Sequence, residues 1–185
     1  DGTINDFVRA HYVPIPAPIV LHIVFGTLFS ALAPFQFSQG IRNRWPTWHR
    51  WSGRTVFVSG IILGLSAMWM VLYFPPSGGV IMSFGLFISG AAVIASLLLA
   101  LRAILSGRVP VHRAWMMRTV AIMFGALTPI LFQIPLFFIL EEFPDFISEW
   151  ERLFGMALNL LFVEWLLRRR PTQKSGLMTK TKETV

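Results

Sequence analysis

Long apolar runs separated by short polar breaks dominate this chain. Five of them come close to the ~20 mostly apolar residues that cross a bilayer as a helix. They run roughly from Ile15 to Phe37, Val56 to Phe74 with a polar-aromatic lead-in from Thr47, Val80 to Leu105, Val111 to Leu140, and Leu153 to Leu167. The fifth is shorter and carries Asn159 and Glu164. These lengths predict helices, because every backbone group must be paired inside lipid and a barrel strand would need only ~10 residues. The breaks agree with this parse. Pro75, Pro76, Gly78 and Gly79 predict a tight turn between the second and third helices. Pro46 and Pro110 suit the first turn of the second and fourth, where a missing N–H costs nothing. Pro129 and Pro135 fall inside the fourth run and predict a bend rather than a break.

Composition sharpens the picture. Of 185 residues, 55% are apolar and only 14% charged, against about 25% charged in a soluble domain. The formal net charge of +7 does not point to nucleic acid, because the basic residues sit between apolar runs. There is no cysteine, which excludes disulfides, thiolate chemistry and Cys-ligated metals. The charges also sort by side. Arg42, Arg44, Arg50 and Arg54 follow the first run, and Arg102, Arg108, Arg113 and Arg118 follow the third. Arg168, Arg169, Arg170, Lys174, Lys180 and Lys182 follow the fifth. In a five-span chain these fourteen of the sixteen basic residues share one face, and Glu141, Glu142, Asp145, Glu149 and Glu151 take the other. The positive-inside rule then places the amino terminus outside and the carboxyl terminus in the cytoplasm. The expected fold is an all-α integral membrane bundle of five transmembrane helices. It comprises an outer leader (1–14), the bundle (15–167) and a basic cytoplasmic tail (168–185).

Small residues recur at helical spacing within the spans. The first run has the stripe His22, Gly26, Phe29, Ala33, Gln36. The second has Gly53, Gly60 and Gly64, and the third Ser89, Ala92 and Ser96. Such stripes admit close helix–helix approach, so packing is the expected role.

Candidate chemistry lies with the histidines. His49 and His112 open the second and fourth helices in related contexts, Trp-His49-Arg50-Trp51-Ser-Gly-Arg54-Thr-Val and Val-His112-Arg113-Ala-Trp115-Met-Met-Arg118-Thr-Val. A helix amino terminus favours neutral imidazole, the form that ligates metal. Two histidines at one depth on two helices suit axial ligation of haem iron. Arg50 and Arg113 then suit haem propionates, since guanidinium pairs bidentately with carboxylate. Boundary histidines also bond lipid phosphate or a loop carbonyl, and arginines there are ordinary topology determinants. Glu164 lies at the depth of Arg50, Arg54, Arg113 and Arg118, where a Glu–Arg link is expected ahead of proton transfer. Gln36, His49, His112, Arg118 and Glu164 converge on one polar cluster that also suits a quinone head group. His22 is a further candidate cofactor-binding residue, but it is nearer the outer face and is expected to need a partner of its own or to serve packing.

The ordered set His22-Ile-Val-Phe-Gly26, Pro34-Phe-Gln36-Phe, His49-Arg50-Trp51-Ser-Gly53-Arg54, His112-Arg113-Ala-Trp115-Met116-Met-Arg118 and Asn159 to Glu164 resembles the bacterial membrane family called domain of unknown function 2306. The resemblance covers roughly Leu21 to Arg169 and implies a multi-pass bundle in the bacterial cytoplasmic membrane. In outline that bundle is similar to four-helix transmembrane cytochromes b, a likeness of fold alone. The family often has an arginine in the middle of the helix that begins with the second His-Arg pair. This chain has Gly125-Ala-Leu-Thr128-Pro129 there.

Two functions fit these residues. One is a membrane redox component holding haem b or quinone at the cluster of His49, His112, Arg50, Arg113, Gln36, Arg118 and Glu164. The other is a non-catalytic accessory subunit that packs against partner subunits of a larger membrane complex and contacts lipid or pigment. Seventeen phenylalanines and seven tryptophans suit both. No nucleotide loop, zinc motif or nucleophile elbow is present, and nothing points to an enzyme of those classes.

Overall fold

A computed structural model describes residues 15–74, 79–125, 127–137 and 145–169. The expected outer leader, the turn at Pro75 to Gly78, the acidic pair Glu141 and Glu142, and the basic tail from Arg170 lie outside the described residues. The described chain is all-helical. Its elements are α1 (Ala17–Leu32), a 3-10 turn (Pro34–Phe37), α2 (Gln39–Arg44), α3 (Pro46–Tyr73), α4 (Gly79–Leu105), α5 (Val109–Gly125), α6 (Thr128–Phe137) and α7 (Asp145–Arg169). Among the described residues, three stretches are long and apolar enough to cross a membrane: Ala17–Phe37, Pro46–Tyr73 and Gly79–Leu105.

Helix limits follow local chemistry. Ser38 caps α2, its Oγ accepting from the Ile41 N–H at 3.3 Å. Pro46 opens α3 in the first turn, as its sequence position predicts. After α4, Gly107 takes φ +69°, the left-handed conformation that glycine adopts without a Cβ clash. That turn sends the chain directly into α5.

The long helices pack as antiparallel neighbours, and side-chain pairs show the register. Between α1 and α3, His22 meets Ser66 and Gln36 meets Ser52. Fourteen residues forward on one helix is thus fourteen back on the other. Gly26 lies against Leu63 and Gly60 against Phe29 within the same register. Between α3 and α4, a Cβ at Gly64 would stand 3.1 Å from the Gly90 carbonyl oxygen, and one at Gly90 equally close to that of Gly64. The two backbones meet there because neither residue has a side chain. The glycine stripe of the second run is therefore a packing surface.

Fully buried Phe29, Ala33 and Val56 pack against Met116, Val120 and Met123 of α5. A second layer, Val93, Leu97 and Ile122, joins Phe57, Ile61, Met156 and Leu160. Helix α5 is thus the centre of the bundle, with α1 and α3 on one side, α4 beside it and α7 on the other side.

The fourth run departs from expectation. It forms two helices, α5 and α6, where a single bent helix is expected. Pro129 has no N–H to give the Gly125 carbonyl, and its ring crowds that carbonyl. The Phe124 carbonyl instead accepts from the Leu127 N–H (2.9 Å) and from Thr128 Oγ1 (3.2 Å). A Cβ at Gly155 of α7 would fall on the Gly125 oxygen. The two glycines let α7 press against the break. Pro135, by contrast, lies within α6.

Candidate functional site

Antiparallel packing gathers six chain segments at one end of the bundle: the end of α1, α2, the starts of α3 and α5, and the ends of α4 and α7. That end holds His49, His112, Gln36, Arg118 and Glu164, together with the exposed Arg50 and Arg113.

His112 is held by a neighbour. Its Nδ1 lies 2.9 Å from the Ala100 carbonyl oxygen on α4. A carbonyl only accepts, so Nδ1 carries a proton, and in the neutral ring this leaves the lone pair on Nε2. His49, on α3, is half-buried. Its Nδ1 is buried and has no hydrogen-bond partner. His49 and His112 open α3 and α5 at this same end of the bundle. The pair thus combines a fixed tautomer on one helix with an unpaired ring nitrogen on another.

Gln36 joins α1 to α3 beside them. Its Nε2 donates to Ser52 Oγ at 2.7 Å, and Ser52 donates to the Trp48 carbonyl at 2.7 Å. The Gln36 Oε1 stands 3.1 Å from where a Cβ of Gly53 would be, so glycine leaves room for the amide.

Glu164 is paired with Arg118, the one of the four candidate arginines that reaches it. Arg118 Nε donates to Oε1 at 2.5 Å and Nη2 to Oε2 at 3.1 Å, a two-pronged link between α5 and α7. The same guanidinium lies 4.7 Å from the Trp115 ring centre. The related segment of α3 repeats this geometry, with Arg54 5.1 Å from the Trp51 ring centre. Thr55 and Thr119 each donate to the carbonyl four residues back, those of Trp51 and Trp115. The sequence likeness of the two segments is therefore a likeness of local structure. Arg and Trp three apart share a helix face and form a cation–π pair.

His22 is not brought to this end. Its Nδ1 lies 3.2 Å from Ser66 Oγ, and Ser66 is fourteen residues along α3 from Ser52, the partner of Gln36, or about 21 Å at helical rise. A second polar seam holds α7 against α6. Asn159 donates to Thr128 Oγ1 at 2.8 Å, and Gln133 donates to Glu151.

Several of these partners were not visible in the sequence. A serine inside an apolar helix reads as small and neutral, which hid Ser52 and Ser66. The Ala100 carbonyl carries no sequence signal. The repeated Trp-x-x-Arg spacing does carry one, for Trp51 and Trp115.

The family model for the predicted membrane proteins DUF2306 matches residues 19–167. Comparison with curated proteins and with solved structures finds no match.

Proposed function

The chain belongs to the DUF2306 family of predicted membrane proteins, and from that premise we propose that it is a membrane redox component binding haem b or a quinone at the polar end of the bundle. One observation carries the proposal. The Nδ1 of His112 is tied to a backbone carbonyl, which is how proteins orient a metal-ligating imidazole and expose its Nε2. A second imidazole, His49, lies in the same region with a buried nitrogen that has no partner. Leaving a buried polar atom unpaired costs about 1–3 kcal/mol, a cost that a bound ligand removes. His49 and His112 would hold a haem and the exposed Arg50 and Arg113 would pair with its propionates, and the group would supply one-electron chemistry. A quinone would take Gln36 and the imidazoles around its head group.

The proposed topology has five crossings in the bacterial cytoplasmic membrane, with the amino terminus outside. Helix α7, at 25 residues, is about 37 Å long, the length of a span, with its apolar part confined to Leu153–Leu167. Between Leu153 and Leu167 its one charged residue, Glu164, is matched by Arg118.

An absorption spectrum of the purified full chain tests the reading. A Soret band with a sharp reduced α-band, lost in H49A and in H112A, supports haem. A colourless protein whose lipid extract contains stoichiometric quinone supports the quinone form. A colourless, quinone-free protein that co-purifies with a large complex overturns both and leaves an accessory subunit.

A further inference from the structure

No Asp or Glu occurs between Phe7 and Leu140, a stretch that contains Arg42, Arg44, Arg50, Arg54, Arg102, Arg108, Arg113 and Arg118. Among the described residues Arg118–Glu164 is the one salt bridge. Arg42, Arg44, Arg50, Arg54, Arg102, Arg108 and Arg113 therefore make no salt bridge within the described residues. One of them faces a cleft. Phe35, Ile41, Arg44, Trp45, Thr47 and Trp48 line a cavity of about 760 Å³ between the 3-10 turn, α2 and the start of α3. It lies between the ends of two stretches long and apolar enough to cross a membrane, Ala17–Phe37 and Pro46–Tyr73, which would put it at the boundary of water and lipid.

The walls of this cleft are of two kinds. Phe35, Trp45 and Trp48 are large, apolar and substantially exposed. Phe35 and Trp48 meet edge to face, with ring centres 6.2 Å apart. Arg44 stands over the Trp45 ring at 5.6 Å. A cation held against an aromatic face, with its N–H groups free for an anion, sits beside an apolar trough. Indole rings of this kind settle at the headgroup level, where one side is wet and the other oily.

We propose that this cleft seats an anionic phospholipid, its phosphate on Arg44 and the start of an acyl chain along Phe35 and Trp48. Guanidinium pairs with phosphate by two parallel hydrogen bonds. An apolar occupant alone leaves Arg44 without a counter-charge, and a free anion alone leaves the aromatic trough wet. An acidic lipid satisfies both. The site is independent of the histidine pair and stands whether or not a redox group binds there.

The test uses the purified full chain in neutral detergent with short-chain phosphatidylglycerol, phosphatidylcholine or inorganic phosphate as probes. The expected result is that phosphatidylglycerol raises the unfolding temperature, phosphatidylcholine does so far less, and phosphate does not. Arg44→Gln should weaken phosphatidylglycerol binding about tenfold, as expected for a lost charge-assisted hydrogen bond of about 1.4 kcal/mol. Arg108→Gln, at the same end outside the cleft, should not weaken it. Equal effects of the two lipids, stabilisation by phosphate alone, or unchanged binding by R44Q would overturn the proposal. Should R44Q not fold, native mass spectrometry of the unaltered chain decides between the same outcomes. Preferential retention of phosphatidylglycerol over phosphatidylcholine supports the site, and indiscriminate retention or none refutes it.

Discussion

Arg118 grips Glu164 with two nitrogens across forty-six residues of sequence, and in doing so ties α5 to α7. Both side chains are about a quarter to a third exposed in the isolated chain, so the link lies between a surface ion pair and a buried one. Glu164→Gln should lower stability by about 1–2 kcal/mol, read as a drop in the midpoint of thermal unfolding in detergent. The double variant R118Q/E164Q should lose less than the two single variants together, because no arginine is then left unpaired. Additive losses would show that the two residues act separately.

The approach of α7 to the α5–α6 break depends on two missing side chains. A Cβ on Gly155 would fall on the Gly125 carbonyl oxygen and stand 2.9 Å from Pro129 Cδ. Backbone cannot yield as a side chain does, so G155A should cost about 1–3 kcal/mol and reduce the yield of folded protein. G40A makes the control, since its Cβ would meet nothing nearer than Ser38 Oγ at 3.9 Å. Equal yield and melting temperature for both variants would contradict this packing.

The absence of native cysteine makes topology easy to probe. Ser106 lies exposed in the turn between α4 and α5, flanked by Arg102 and Arg108. S106C should react with a membrane-impermeant maleimide only after cells are opened. Labelling in intact cells would reverse the proposed orientation.

His22 separates packing from ligand binding. It bonds Ser66 far from the histidine pair. If a haem spectrum is found, H22A should leave the band positions unchanged while lowering stability. H49A and H112A should remove the bands. Loss of the spectrum in H22A at unchanged stability would move the site to the other end of the bundle.

Much of this arrangement is legible in the residues, and the gaps have physical causes. Apolar runs and proline positions predict the α1, α3 and α4 helices because lipid demands continuous helical pairing. The Glu–Arg link is predictable in kind, since an intramembrane carboxylate needs a partner, but not in identity. Four arginines share that depth, and only packing selects Arg118. The two helices α5 and α6 are not predictable with the same certainty, because Pro129 permits a bend or a break. The outcome depends on Gly155, which lets α7 come close to Gly125. The partner of His112 is a backbone carbonyl, and every residue has one.

The spacing of Arg118 and Glu164 also orders the assembly of the bundle in time. The ribosome completes α1 to α6 while Arg118 still lacks its carboxylate and Gly125 its helix. Both contacts come from α7, so a chain truncated before Gly155 lacks the Arg118–Glu164 link and the Gly125 contact alike.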